Sequence, residues 1–290
     1  MAVHAGVEHE TAESPGGHRG PVVVIGARHG LLELGLAELW SRRELMYFFV
    51  WRDLKIRYRQ TVFGAAWAVV QPVLLMLIFT ATVGRLPNVG PAGVPYPLFA
   101  FAGLVPWTLF SASLVGASNS MVNAAGIITK VYFPRLLLPF SAVGSFLIDF
   151  VIAMVVLGLL MLYFGVMPSV AIVWLPLFTL VALVTALGVG TWLAAINVRY
   201  RDVKYAVPFL VQAWMFASPV IYTSELIPKE WQWLYALNPM TGVLEGFRWA
   251  LLGGQRPDEL IFVSAAASVL VFMSSLVYFR HAEQTFADVI

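Results

Sequence analysis

The stretch LLLPFSAVGSFLIDFVIAMVVLGLLMLYF, residues 136–164, decides the architecture. It carries one charged residue, Asp149, and is otherwise almost wholly apolar. A bilayer core is about 30 Å thick and takes roughly 20 apolar residues to cross as a helix. Five more stretches have this character: residues 62–83, 98–122, 170–196, 206–222 and 260–279. Backbone polar groups in hydrocarbon must be satisfied within the protein, so such segments are helices or strands of a closed barrel. Barrel strands alternate apolar and polar residues, and these runs do not. The expected fold is therefore an all-α integral membrane protein with six transmembrane helices, forming a single permease domain over residues 61–290.

Composition agrees. Of the residues, 60% are hydrophobic and only 12% charged, more apolar surface than one soluble core can hide. The cations are sorted. With the N-terminus inside, the inner segments hold Arg19, Arg28, Arg42, Arg43, Arg52, Lys55, Arg57, Arg59, Lys130, Arg135, Arg199, Arg201, Lys204 and Arg280. The outer segments hold only Arg85, Lys229, Arg248 and Arg256. This asymmetry predicts that both termini are cytoplasmic. Nothing in the charge balance points to nucleic acid. Cysteine is absent, which excludes disulfides and thiol chemistry. Residues 1–20 are polar and the apolar patch at 21–25 is too short for a signal-peptide core, so the first span is expected to direct its own insertion.

Residues 1–30 read as a loosely ordered cytoplasmic lead, with residues 1–20 rich in Gly, His and Glu. Residues 31–60 interleave aromatic and basic side chains, including Trp40, Phe48, Trp51, Arg52, Lys55, Arg57 and Arg59. That pattern predicts an amphipathic cytoplasmic helix in the headgroup plane; the alternative is the basic flank of the first span. The first span contains Gln71-Pro72, and proline removes one intrahelical bond. The second span holds Ser111, Ser113, Ser118, Asn119 and Ser120, suited either to close helix approach or to a polar path. Between the second and third spans, Lys130-Val-Tyr132-Phe133-Pro134-Arg135 sets two aromatics between two cations. It is a docking surface for a cytoplasmic partner or an ordinary loop with interfacial anchors. The next inner loop, with Arg199, Arg201 and Asp202, is again basic.

The segment after the fifth span is apolar and aromatic but broken at Asn238-Pro239. Its halves, 229–237 and 239–252, are about 14 and 21 Å long as helices, too short to cross. They read as a re-entrant pair over about 226–252, entering from the outer face, or as an outer interfacial segment. Asn238 suits an N-cap with Pro239 at the first helical position. Glu245 and Arg248, three apart, can pair. Around this pair cluster Trp214, Phe216, Tyr222, Trp231, Trp233, Tyr235 and Trp249. Interfacial belts account for many membrane aromatics, but rings also bind the C–H faces of sugars weakly enough to let a long glycan slide.

Catalytic signatures are lacking. There is no phosphate-binding glycine loop, no nucleophile elbow and no metalloprotease helix. His4, His9, His18, His29 and His281 all lie outside the spans, so no embedded metal site is expected. Asp149 suits a proton relay or, with no partner at matching depth on other spans, a hydrogen bond to Ser, Thr or Asn of a neighbouring helix. Scarce buried charge argues against an ion-coupled carrier, and the absence of clustered carboxylates argues against a membrane glycosyltransferase.

One ordered series of short motifs goes further: Trp51-Arg-Asp-Leu-Lys55-Ile-Arg57-Tyr58, Thr61-Val-Phe-Gly64-Ala-Ala-Trp67, Gln71-Pro72, Gly103-Leu-Val-Pro106-Trp107, Lys130-Val-Tyr-Phe133-Pro134-Arg135, Asn197-Val-Arg199-Tyr-Arg201-Asp202, Ser218-Pro219-Val-Ile-Tyr222, Asn238-Pro239-Met240, Glu245-Gly-Phe-Arg248-Trp249 and the tail Phe286-Ala-Asp288-Val-Ile290. From about residue 21 to the end, the chain resembles the permease subunits of ABC-type polysaccharide exporters, which move O-antigens, capsules and teichoic acids. The resemblance implies a non-catalytic subunit of the bacterial inner membrane that works as two copies with two cytoplasmic nucleotide-binding ATPase subunits. ATP and Mg would be bound by those partners, and this chain would need no cofactor. It implies a lipid-linked glycan as cargo. Residues 31–60 would be the interface helix, with Arg52, Lys55, Arg57 and Arg59 facing a lipid headgroup or pyrophosphate. Lys130, Tyr132, Phe133, Pro134 and Arg135, with Arg199, Arg201 and Asp202, would couple to the ATPase. Asn238, Pro239, Glu245 and Arg248 would build an outer gate. An ABC exporter of drugs or lipids is the alternative within the same class.

Overall fold

The computed structural model describes residues 36–59, 64–85, 90, 93–253, 259–284 and 286. The lead over residues 1–30, and residues 31–35 and 60 of the expected interface helix, lie outside the described residues. Among the described residues the chain is helical, with no strand. The helices are α1 (Leu36–Ser41), α2 (Arg43–Tyr58), α3 (Trp67–Thr82), α4 (Tyr96–Asn123), α5 (Ala125–Ile128), α6 (Leu137–Phe164), α7 (Leu175–Arg199), α8 (Val203–Phe216), α9 (Lys229–Ala236), α10 (Pro239–Leu252) and α11 (Leu260–Glu283).

Among the described residues, four helices are long and apolar enough to cross a membrane: α4, α6, α11 and α7 with the 3-10 turn before it. Their bounds follow the apolar runs closely, because in a bilayer hydrophobic length fixes helix length. Two expected spans are shorter. Helix α3 has 16 residues, about 24 Å, with residues 62–63 outside the described set. Helix α8 has 14 residues, about 21 Å, and ends at Phe216 rather than Tyr222. The difference lies at Ser218-Pro219, where the proline ring cannot continue the ladder and the chain turns.

Helix α4 is the axis of the bundle. Residues 98–107 are all buried, so it is enclosed on every side. It packs on α3, α6, α7 and α10. Close approach depends on small residues. A Cβ on Gly190 of α7 would stand 2.6 Å from the Ala117 Cβ of α4, and one on Gly188 would stand 2.9 Å from the Phe272 backbone nitrogen of α11. Buried polar groups reinforce these seams: Asn197 Nδ2 donates to the Ser118 carbonyl (3.0 Å), and Thr185 Oγ1 to Ser268 Oγ (3.0 Å). The Ser and Asn residues of the second span thus serve helix contact at Ser118 and Asn119.

Helices α6, α7 and α11 turn apolar side chains outward, among them Val155, Leu159, Leu180, Val269 and Leu270. Exposed apolar surface of this extent is what lipid contact requires. The buried residues form two clusters. One fills the end of the bundle where the basic loops emerge and contains Phe49, Phe133, Leu137, Val198, Phe279 and Phe286. The other runs toward the opposite end and contains Phe101, Trp107, Phe110, Leu157, Phe178 and Phe247.

Candidate functional site

At the basic end, α4 runs into the four-residue helix α5 and then a bend through residues 129–135. The expected docking pair of aromatics divides. Tyr132 is 84% exposed, whereas Phe133 is 7% exposed and packs on Phe49 of α2, ring centroids 5.3 Å apart. Pro134 is buried beside it, Lys130 is exposed, and Arg135 Nη1 donates to the Glu283 carbonyl at the end of α11 (2.8 Å). The loop therefore has an anchored inner side and a free outer side. Ile128, Thr129, Lys130, Val131, Tyr132, Phe133 and Arg135 line a hollow of about 260 Å³ on it. Arg199, Arg201 and Asp202 are exposed on the α7–α8 connection. Of the cations expected to meet a partner, Lys130, Arg199 and Arg201 are thus exposed, and Arg135 is half-buried.

Helix α2 and its capping residue split the four cations expected to share one headgroup. At about 100° per residue, Arg52, Lys55 and Arg59 fall within about 60° of one another, while Arg57 lies about 160° from Lys55. Lys55 and Arg59 are exposed, and Arg52 pairs with its neighbour Asp53 at 2.8 Å. Arg57 points instead at α6. Its Nη1 donates to Asp149 Oδ2 (2.9 Å), its Nη2 to Ser145 Oγ (2.9 Å), and its guanidinium lies 3.7 Å from the centroid of the Phe146 ring. Tyr58 OH donates to the other Asp149 oxygen. Burial, and then that bond to a carboxylate, push the Tyr58 phenol up to about 12. So the partner of Asp149 comes from α2, not from a Ser, Thr or Asn of another span. A separation of 92 residues puts that pairing beyond the reach of sequence periodicity.

At the opposite end, α10 is buried on nearly all sides between α4, α7 and α11. Asn238 divides α9 from α10 as expected: its Oδ1 caps the Met240 amide (3.1 Å). It also accepts from Trp214 Nε1 (3.0 Å), and its Nδ2 donates to Ser218 Oγ (2.8 Å). Arg248, one turn from Glu245, reaches the segment that follows α8. Its Nη1 donates to the carbonyls of Pro219 (2.7 Å) and Tyr222 (3.2 Å), and its Nη2 to that of Val220 (2.5 Å). Tyr96 OH donates to the Ile221 carbonyl (2.9 Å), and the Phe99 ring lies under the guanidinium at 3.8 Å. Four successive carbonyls of a non-helical segment are thereby satisfied by two side chains. Tyr96 and Phe99 carry no sequence signal for this role, because nothing in local spacing aims them at this turn.

The aromatic set falls into two groups. Trp214, Tyr222, Tyr235 and Trp249 are half-buried, with the Tyr222 and Tyr235 hydroxyls bonded to each other. Phe216, Trp231 and Trp233 are exposed at 55%, 56% and 61%. Pro239 is buried and Glu245 half-buried. Among the described residues no cluster of His, Cys, Asp and Glu is placed to hold a metal ion.

An apolar bundle with four helices long enough to cross a membrane among the described residues, a braced basic loop at one end and a side-chain-stapled break at the other, fits a multi-pass membrane protein. Residues 44–252 match the ABC-2 type transporter model, and the chain belongs to that family. It is 33% identical over 259 residues to an O-antigen export system permease protein of Myxococcus xanthus, covering 87% of this chain and 97% of the relative. It is 25% identical over 253 residues to an O-antigen export system permease protein of Klebsiella pneumoniae, covering 85% and 95%. A polysialic acid transport protein of Escherichia coli is 24% identical over 238 residues, covering 78% and 89%. Membership of this family implies an ABC ATPase as partner.

Proposed function

We propose that this chain is the channel subunit of an ATP-driven exporter that carries a lipid-linked polysaccharide from the cytoplasm across a bacterial inner membrane. The observation that carries the reading is near-full-length similarity to proteins named for O-antigen export and polysialic acid transport. In this reading the shorter α3 and α8 complete six crossings, both termini are cytoplasmic, and α9 and α10 form a re-entrant outer gate. Two copies enclose the path, and two ATPase subunits seat on Lys130, Tyr132, Arg135, Arg199, Arg201 and Asp202, with Phe133 and Pro134 holding the loop from behind. The subunit itself is non-catalytic; ATP and Mg belong to the partner. Arg52, Lys55 and Arg59 receive the phosphates of the lipid head, since phosphate contact needs cations on one face. The exposed rings of Phe216, Trp231 and Trp233, with Trp214, Tyr222, Tyr235 and Trp249 behind them, offer the glycan weak, repeated contacts.

Deleting the gene and fractionating cell glycans tests the cargo. The expected result is loss of one surface polysaccharide and its accumulation inside the cell; a normal surface with no internal build-up refutes the reading. Co-purification with the ATPase and ATP-dependent glycan uptake into inverted vesicles tests the energy source.

A further inference from the structure

We infer that Arg57 and Asp149 are positioning residues: they lock α2 onto α6 so that a displacement of the loop over residues 129–135 is delivered to the interior of the bundle. The inference rests on the exporter reading for its function, but the lock itself does not.

Three contacts define the lock. Phe49, near the middle of α2, packs on Phe133 of the exposed loop. Val50 lies against α6, its Cγ2 3.0 Å from where a Cβ on Gly144 would stand, so the two helices approach closely there. At its C-terminal end α2 is held by the Arg57–Asp149 ion pair, by Arg57 on Ser145 and by Tyr58 on the second carboxylate oxygen. From Phe49 to Arg57 the helix rises about 12 Å, from the root of the loop to the fourth turn of α6. A stiff helix held in axial register on α6 passes a displacement of Phe49 on to α6; one free to slide along α6 does not. Apolar contacts at Phe49 and Val50 resist separation but tolerate sliding, whereas a two-oxygen, two-donor carboxylate clasp fixes axial register.

The alternatives for Asp149 fit less well. A proton relay needs a second titratable acceptor, and the Asp149 oxygens face Arg57 and Tyr58, a cation and a phenol held un-ionised at neutral pH. A headgroup role for Arg57 is countered by its placement, on the face of α2 away from Lys55 and Arg59 and already bonded to a carboxylate.

The chain has no cysteine, so a pair introduced by Val50→Cys and Gly144→Cys reports the seat without background. The experiment uses the full permease–ATPase complex in vesicles. Asp149→Asn is expected to slow oxidation of the introduced pair about tenfold, as befits loss of a charge-assisted bond at a half-buried site. It should leave basal ATP hydrolysis intact and abolish its link to export. The exchange Arg57→Asp with Asp149→Arg is expected to restore both the oxidation rate and the link. Most tellingly, oxidising the introduced pair in the Asp149→Asn background should restore export, because a covalent seat replaces the ionic one. An unchanged oxidation rate in Asp149→Asn overturns the inference. So does a re-seated α2 that still fails to export, since that outcome gives Asp149 a chemical role. If the complex exports no glycan at all, the exporter reading fails while the oxidation rates still judge the lock.

Discussion

Two arginines, Arg57 and Arg248, hold distant parts of the chain together by opposite means. Arg57 has a carboxylate, a hydroxyl and a ring, and its side chain and that of Asp149 keep 29% and 24% exposure. Arg248 is 9% exposed and spends its terminal nitrogens on three backbone carbonyls over the Phe99 ring. The first arrangement joins two helices that are each complete without it. The second sustains a stretch of backbone that could not otherwise exist at that depth, since unpaired carbonyls in a dry interior are costly. An ion pair is a clasp; a carbonyl fan is part of the fold.

That contrast can be broken by mutation. Arg248→Ala is expected to have the largest effect, because three carbonyls lose their donors at about 1–3 kcal/mol each. Loss of folded complex in detergent, or a fall in melting temperature that high salt does not alter, is the expected reading; a near-native melting curve removes the structural role. Arg248→Lys should recover only part of the loss, since an ammonium lacks the planar fork that reaches separated acceptors.

Asp149→Asn should destabilise less, by about 1 kcal/mol once solvent screening of a partly exposed pair is allowed for. Its effect should shrink as salt rises, unlike that of Arg248→Ala, and melting curves at two ionic strengths separate the cases. Arg57→Lys should be milder still, keeping a positive charge beside Asp149 while losing the bond to Ser145 and the stack on Phe146.

The smallest effect concerns pH. Folding lifts the Tyr58 phenol from 10.0 to about 12, so the folded state favours its neutral form. The corresponding stability is complete below about pH 10 and lost as pH climbs from there through about 12. Disulfide formation cannot be compared across that range, because thiolate content changes too; the part of the fluorescence that Trp51→Phe removes isolates Trp51, about two turns before Tyr58, among the ten tryptophans and serves instead. A steady Trp51 signal up to about pH 10, and a change above it, is expected; a change well below that point places the titration on another group.

Much of the architecture is legible in the residues. The bounds of α6 differ from the apolar run by one residue, and Asn238-Pro239 marks the α9–α10 break. The basic loop is visible as a place, but not the burial of Phe133, because composition does not tell which of two adjacent aromatics faces inward. The apolar character of residues 217–222 extends the expected fifth span through to residue 222. What ends the helix is a proline, and what tolerates its end is Arg248, whose carbonyl acceptors lie 26 to 29 residues before it. Asp149 is legible as unusual and its partner is not. One signal was available: on the helical wheel of α2, Arg57 stands apart from Lys55 and Arg59, so it could not share their ligand.

Gly188 and Gly190 have a mechanical consequence. They let α7 rest backbone-close on α11 at one face and on α4 at the other. Contacts without intervening side chains have nothing to rotate or bend, so these three rods form a stator.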